Sequence, residues 1–231
     1  MTVERISQKR AFGHGDSGKS NLLNNERIYK DDDACKINSA IEHLNNHIRL
    51  FYSRYSVKCV ELNAVLSWLK DNIYQIGGFA FYKGNTHENQ SLPVTVLEYL
   101  ERATEKFHED PQIGIASDFV GHTLEKYILL DTIRVAIRDL EITWVSWKGH
   151  RMVNEYIIDE VLVEDPVKAQ QIAIARRNYS QYLNRLSLFL WLATRQECYL
   201  CGDYATQEYW DRESNGESKP HAALNTFMAA E

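Results

Sequence analysis

The sequence predicts an all-α protein, an up-and-down bundle of four or five helices, on three observations. Apolar residues recur at helical spacing through most of the chain, no series of short alternating strands occurs, and breakers are scarce, with 11 Gly and 4 Pro. The first apolar face, Ile37, Ile41, Leu44, Ile48 and Phe51, sets a helix over 34–54. A second follows at Leu62, Val65, Leu66, Leu69, Ile73 and Ile76, and Gly77-Gly78 is expected to stop it, since a residue without Cβ suits a helix end. Residues 79–91 have no period and carry turn formers, which predicts a loop that could reach a partner subunit. A shorter helix is expected near 92–107, then a long one over 119–149 with Ile133, Ile137, Leu140, Trp144 and Trp147 on one stripe. The last, over 165–198, opens at Asp165-Pro166 and aligns Ile172, Tyr179, Leu183, Leu186, Leu190 and Ala193. Three regions result: a polar N-terminal segment 1–33 with a glycine cluster, the bundle 34–198, and a polar tail 199–231 rich in small residues. Both ends are expected to be extended or partly disordered.

Composition narrows the function. A chain of 231 residues, 44% apolar and 25% charged, can bury one sizeable core without disulfides. Its 26 Lys and Arg against 32 Asp and Glu give a net charge of −6, which argues against nucleic acid as a partner. No stretch approaches the roughly 20 apolar residues that span a bilayer, and the first ten residues hold no apolar signal core. A cytoplasmic protein with no membrane partner is expected. Cys35, Cys59, Cys198 and Cys201 are too few for a disulfide framework, so reduced thiols fit best. Cys198 and Cys201 form a Cys-x-x-Cys pair, but a structural zinc site takes about four ligands and no second close pair exists. Two ordinary thiols at a helix end are the expectation.

Gly13-His-Gly-Asp-Ser-Gly-Lys-Ser20 matches the phosphate-loop pattern Gly-x-x-x-x-Gly-Lys-Ser at every fixed position. Backbone N–H groups would wrap phosphates, Lys19 would add a point charge and Ser20 would hold Mg²⁺. That pattern has its usual meaning only between a buried strand and a helix of a parallel sheet, and Arg5-Ile-Ser-Gln-Lys-Arg-Ala-Phe12 is no such strand. Two readings stay open: a glycine loop that binds a triphosphate in a different fold, and a solvated turn.

The run Gly15-Asp-Ser-Gly-Lys-Ser-Asn-Leu22, then Glu26-Arg27, Lys30-Asp31-Asp32 and Ile41-Glu-His-Leu-Asn45, resembles the start of the PduO-type ATP:corrinoid adenosyltransferases. Their order is Thr-x-Thr-Gly-Asp-x-Gly-x-Thr/Ser, Glu-Arg, Lys-Asp-Asp and Val-Asp-Glu-Leu-Asn. Tyr182-Leu-Asn-Arg-Leu-Ser187 with Phe189-Leu190 is similar to that family's closing signature, and Ile76-Gly77 to the end of its second helix. Arg134-Val-Ala-Ile-Arg138-Asp-Leu-Glu141 resembles its Arg-x-x-x-Arg-Arg-x-Glu-Arg helix. Arg134 and Arg138 stand one turn apart with Glu141 three residues on, so a cation pair with an orienting carboxylate can face one anion. A solvated ion-pair stripe is the competing explanation.

The resemblance implies a five-helix bundle, a homotrimer with sites between subunits, and transfer of the 5′-deoxyadenosyl group of ATP to cobalt(I) of a corrinoid such as cobalamin, with release of triphosphate. By it, Gly15, Asp16, Gly18, Lys19, Ser20 and Lys30 would hold the triphosphate and Mg²⁺. Arg134 and Arg138 would neutralise leaving-group charge, Glu42 would ion-pair with Arg134, and Glu141 would orient the cations. Asn184 and Arg185 would complete the nucleotide site, and Phe119 would line the corrinoid pocket. A corrinoid reductase or a cobalamin-dependent enzyme is an expected partner. The chain departs from the family pattern at Phe12, His14, Asp139, Ile142 and Leu188. The alternative reading is a paralogue that binds ATP or corrinoid without transfer, as a sensor, carrier or assembly partner.

Overall fold

The computed structural model describes residues 15–21, 27–81, 92–111, 113, 119–147, 166–203 and 207–210. In chain order these form β1 (Lys19–Asn21), β2 (Arg27–Tyr29), α1 (Asp33–Arg54), α2 (Val60–Asn72), α3 (Tyr74–Phe81), α4 (Val94–Glu109), β3 (Phe119–His122), α5 (Glu125–Ser146), α6 (Pro166–Cys201) and β4 (Gln207–Trp210).

Interactions at the helix ends fix the directions. Arg54 and Tyr55, at the end of α1, bond Glu125 at the start of α5. At the opposite end Trp147, just past α5, shares a cavity with Asp31, Asp32 and Asp33. The two helices are therefore antiparallel. Lys126–Glu197 at one end and Trp144–Ser180 toward the other make α5 and α6 antiparallel as well. Lys106–Glu61 ties the end of α4 to the start of α2, while Arg185–Glu101 and the Phe107–Phe189 ring pair run α4 parallel to α6. The result is up-down-up-down-up, with α2 and α3 together as the second column.

The predicted apolar stripes are the core. Ile37, Ile41, Leu44, Ile48 and Phe51 of α1, which packs on α5, are fully buried in one cluster with Ile133, Ile137, Leu140 and Trp144 of α5 and with Tyr179, Leu183, Leu186 and Leu190 of α6, which packs on α5 in turn. Ile172 lies in α6, but its side chain is outside the described residues. α1 starts where the Asp32 carboxylate accepts the Ala34 N–H at 2.9 Å, a cap that satisfies one of the first turn's free donors.

Four expectations are corrected. Gly77-Gly78 does not end the second column: α2 breaks at Ile73, and α3 continues through the glycines to Phe81. The reason is packing, since a Cβ on Gly77 would stand 3.1 Å from Ile41 Cδ1 and 3.4 Å from Asn38 Oδ1, so the missing side chain lets α3 approach α1. The loop expected at 79–91 is thus helical up to 81, and 82–91 lie outside the described residues. The fifth helix begins at Glu125, because Phe119–His122 is a strand paired antiparallel to Gln207–Trp210 of the tail. The segment before α1 carries an antiparallel hairpin, β1 with β2, in register Lys19 to Tyr29. Each pairing spans three or four residues, too short for alternation to be legible in the sequence.

Glu197 holds the closed end of the bundle. Fully buried, its carboxylate accepts the backbone N–H of Lys58 at 3.0 Å and of Cys59 at 2.6 Å, and the Lys126 ammonium at 2.6 Å. One side chain on α6 thereby pins the starts of α2 and α5. Just beyond it α6 ends in a glycine cap: Gly202, at φ 81°, donates to Tyr199 O at 3.0 Å and Asp203 to Cys198 O at 2.8 Å. All four cysteines are free thiols, and Cys198 and Cys201 lie in that last turn. Among the described residues no cluster of three or more His, Cys, Asp or Glu is arranged to hold a metal. No described helix is long and apolar enough to cross a membrane.

Burial opposes ionisation of the Glu197 carboxyl, but Lys126 and the two backbone donors outweigh it and hold its pKa below the usual carboxylate value. A carboxyl depressed on folding contributes stability that is complete above its unfolded pKa and is lost as pH falls through the folded one. We therefore expect Glu197→Ala to lose about 3 kcal/mol in urea unfolding near neutral pH, because Lys126 is left half-buried and uncompensated. The wild type should lose part of its advantage over Glu197→Gln below roughly pH 4.5, the ordinary carboxyl range. Parallel stability curves for the two proteins from pH 7 to 3 would contradict this.

Candidate functional site

The glycine segment is folded and sits at the end of the bundle where α1 starts. Gly18 turns the chain at φ 71°, its N–H donating to Gly15 O at 3.1 Å, and its carbonyl accepts Lys30 N–H at 2.8 Å. β1 follows at once, so the segment is a turn leading into a hairpin and not a strand–loop–helix phosphate loop. The Lys30 side chain folds back over the turn, with Nζ 3.0 Å from where a Gly15 Cβ would be. A cation is thus held against bare backbone. Arg27 crosses the hairpin to Ser17 Oγ at 3.1 Å. Ile28 is buried with Ala34, which anchors the hairpin to the first turn of α1.

Gly15, Gly18 and Lys30 are therefore brought together; Asp16, in the same turn, is exposed like Gly18, and Ser20 follows in β1 opposite Ile28. Lys19 faces differently, its Nζ 4.6 Å from the Tyr29 ring centroid. The Ser20 hydroxyl hydrogen-bonds the Cys35 thiol, whose pKa is raised, first by burial and then by Asp32. Asp31, Asp32 and Asp33 with Trp147 line a cavity of about 260 Å³ beside this segment. Gly13 and the departures Phe12 and His14 lie outside the described residues.

The second half of the site is the face shared by α5 and α6. Glu141 Oε1 accepts Asn184 Nδ2 at 3.1 Å, and Arg185 Nη1 donates to Asn184 Oδ1 at 3.0 Å while its Nε reaches Glu101 Oε1 at 3.4 Å. Asn184 and Arg185 are exposed at the level where α6 faces the last turns of α5. Arg138 is exposed and forms no ion pair among the described residues.

The expected Glu42–Arg134 ion pair is not formed within the chain. Arg134 Nε is held at 2.6 Å by Asp131 Oδ1, three residues back on the same helix, and Glu42 accepts Asn38 Nδ2 at 2.8 Å. A local partner one turn away fixes each side chain before a distant one can. With Arg54 opposite Glu125, Glu42 lies level with the Arg134–Arg138 turn, but on the solvent side of α1. Of Phe119 the structure gives the backbone, paired with Trp210, and its side chain is outside the described residues.

Two groups escaped the sequence reading. Asp131 was signalled by its spacing to Arg134. Arg195 stands two residues past the apolar run Phe189 to Ala193; it is 3% exposed, with its guanidinium carbon 5.3 Å from the centroid of the Trp191 ring. His122, half-buried at the end of β3, has its pKa lowered by burial, and Asp131, Arg134 and Arg195 all act on it electrostatically.

An exposed apolar stripe borders this face. Ile128, Val135 and Ile142 repeat every seven residues along α5, and Ile142 is 65% exposed. At roughly 100° per residue, Arg138 and Arg134 fall between this stripe and the buried side of the helix. Two of the departures, Ile142 on α5 and Leu188 on α6, are exposed apolar residues on this part of the molecule.

No curated protein sequence matches the chain. Solved structures share its fold. A phenylalanine-to-histidine variant of a PduO-type ATP:corrinoid adenosyltransferase from Lactobacillus reuteri, complexed with cobalamin and ATP, superposes with a TM-score of 0.61 at 15% identity over 93% of this chain and 99% of that one. The phenylalanine-to-alanine variant of that enzyme, in the same complex, gives 0.59 at 16% identity over 89% and 97%. An arginine-to-lysine variant complexed with ATP gives 0.56 at 14% identity over 87% and 98%. The sequence model described as cobalamin adenosyltransferase matches residues 11–197, which take in the glycine hairpin, all six described helices but the last turn of α6, and the α5–α6 face. On that match the chain belongs to the cobalamin adenosyltransferase family.

Proposed function

We propose that the chain is an ATP:corrinoid adenosyltransferase, moving the 5′-deoxyadenosyl group of ATP to the cobalt(I) of a reduced corrinoid with release of triphosphate. The observation that carries this reading is the Lys30 ammonium folded over the Gly15–Gly18 turn. An exposed turn with a cation laid against it suits a polyphosphate, which needs backbone donors and positive charge at short range. Asp16, and Ser20 once its hydroxyl leaves the Cys35 thiol, would supply oxygen ligands of the kind a triphosphate-bound Mg²⁺ takes. Arg138, exposed and unpaired among the described residues, and Arg134 would balance the charge that builds on the departing triphosphate. Asn184, fixed by Glu141 and Arg185, would orient the nucleotide. Cobalt(I) brings its own nucleophilicity, so the protein contributes position and charge.

The apolar stripe on α5 supports a homotrimer with the site between copies. Ile128, Val135 and Ile142 form a row that one chain leaves uncovered, and the arginines lie along its edge. In that assembly we assign Glu42 of one copy to Arg134 of the next, the pairing a single chain does not make. Binding without transfer is the second reading, favoured by Ile142 and Leu188, where the family pattern carries an arginine and an acid.

The test is anaerobic incubation with ATP and chemically reduced cob(I)alamin, followed by the absorbance of adenosylcobalamin. Product formation is expected, with a loss of about a hundredfold in Arg138→Ala, the scale of one preorganised charge contact. Calorimetry that shows ATP bound while the assay stays silent would instead establish the second reading.

Lys30→Ala and Gly15→Ala should each weaken ATP binding about fivefold to tenfold, the scale of a charge-assisted contact. The Gly15 change should leave thermal stability within about 0.5 kcal/mol, since its new methyl meets only the end of a flexible lysine. Unchanged ATP affinity in both would place the nucleotide elsewhere.

Ile142→Glu should yield monomers in light scattering at micromolar concentration, where the parent chain is a trimer. A parent that is itself monomeric would remove the shared site.

A further inference from the structure

A cavity of about 250 Å³ lies on the side of the bundle formed by α2, α4 and α6. Val65 and Trp68 of α2, Thr95, Tyr99 and Leu100 of α4, and Tyr182 of α6 line it. Among the described residues no lining side chain is charged, and none comes from α5. Asn184 stands two residues beyond Tyr182, roughly 200° round the helix, so the cavity is outside the candidate nucleotide site. An apolar cavity of about 150 Å³ takes a benzene, and this one has room for two fused rings.

The wall is chiefly apolar and aromatic, and one group in it is unsatisfied. Tyr127 and Tyr182 are both buried; the Tyr127 hydroxyl donates to Asp203, whereas the Tyr182 hydroxyl has no hydrogen-bond partner. Tyr182 is the one residue that α6 contributes, and its ring meets Trp68 of α2 edge-on with centroids 5.5 Å apart, so the phenol reaches across from α6 to the cavity. Burial raises the pKa of that phenol, so the hydroxyl keeps its proton and has a hydrogen to donate. Left unpaired, such a buried donor is unfavourable. Thr95 and Tyr99 are exposed and can turn their hydroxyls to solvent, which Tyr182 cannot. A single water is a poor remedy, since it needs two to four polar partners.

We propose that this cavity binds a neutral two-ring aromatic molecule with one hydrogen-bond acceptor, which receives the Tyr182 hydroxyl while Trp68 and Tyr99 hold its rings. An uncharged wall selects a neutral ligand, the volume sets its size, and the idle donor sets its one polar atom. This site is independent of the adenosyltransferase reading, and either can fail without the other.

The experiment is titration of the full chain, by ligand-observed NMR, with quinoline, which has one acceptor nitrogen, and with naphthalene, its counterpart without one. Quinoline should saturate one site per chain below about 1 mM. Tyr182→Phe should weaken quinoline about fivefold to tenfold, the scale of one buried hydrogen bond, and leave naphthalene unchanged. Without ligand the same variant should melt about 3 °C above the wild type, because it loses a hydroxyl that had no partner. Ala64→Phe, at an exposed position of the cavity wall, should exclude both molecules. Failure of quinoline to saturate overturns the proposal, and so does an unchanged quinoline affinity in either variant. Equal weakening of naphthalene in Tyr182→Phe would assign the effect to cavity shape and overturns it too. A Tyr182→Phe protein that melts below the wild type would show that the hydroxyl already has a partner, with the same consequence. If quinoline binds only as light scattering shows an oligomer dissociating, a neighbouring copy's side chain is the occupant and the small-molecule site falls.

Discussion

The carboxylate of Glu197 sets the alignment on which the rest of this molecule depends. It binds the backbone where α2 begins and the ammonium where α5 begins, from a position near the end of α6. Helices packed through leucine and isoleucine faces can slide by a turn at modest cost, since one apolar ridge fits the next groove almost as well. A buried ion held by directional donors cannot slide. That alignment carries Glu141 to Asn184 at the other end of the same pair of helices, and so decides which residues meet there.

The two ends of the bundle are built for different purposes. At the closed end Glu197, the Gly202 cap, the Tyr127–Asp203 bond and the pairing of β3 with β4 satisfy polar groups internally. At the open end the glycine turn, Arg138 and Asn184 stay exposed. On the proposed reading the open end would bind a polyanion; Arg138, with no ion pair among the described residues, is the cation left unengaged for it, whereas Asn184 and Arg134 already hold Glu141 and Asp131.

The apolar periodicity made the helices legible, and the residues it named are those now buried, from Ile37 to Phe51 and from Ile133 to Trp144. What it missed was local or crowded. Gly77-Gly78 reads as a helix stop when propensity is considered alone, yet Ile41 and Asn38 crowd the place where a side chain would go, so tertiary contact retained glycine inside α3. The hairpin of β1 and β2 is three residues deep on each side, below the length at which alternation is detectable. In the candidate site, the glycine turn is legible because Gly13–Ser20 is contiguous, whereas Lys30, which the structure folds over that turn, is named only by the resemblance at Lys30-Asp31-Asp32. The resemblance pairs Arg134 with Glu42, while the i, i+3 spacing to Asp131 already holds the answer within one chain. Arg195 gave no motif signal, since burial is not written in a residue's own identity.

The departures from the family pattern change the character of one face more than they remove the means of binding. Ile142 and Leu188 place exposed apolar surface where charge would be expected, while Arg134, Arg138, Glu141, Asn184 and Arg185 are all retained and the last three are joined by hydrogen bonds. Apolar contact holds substrate and transition state alike, whereas a preorganised cation favours the state in which negative charge has built up. On the proposed reading, a face that trades an arginine and an acid for isoleucine and leucine would gain affinity for whatever covers it and lose some of its grip on a departing triphosphate. On that reading the retained arginines would then carry a larger share of the rate, and the geometry of Arg138, with no described ion pair to restrain it, would be the point on which transfer turns.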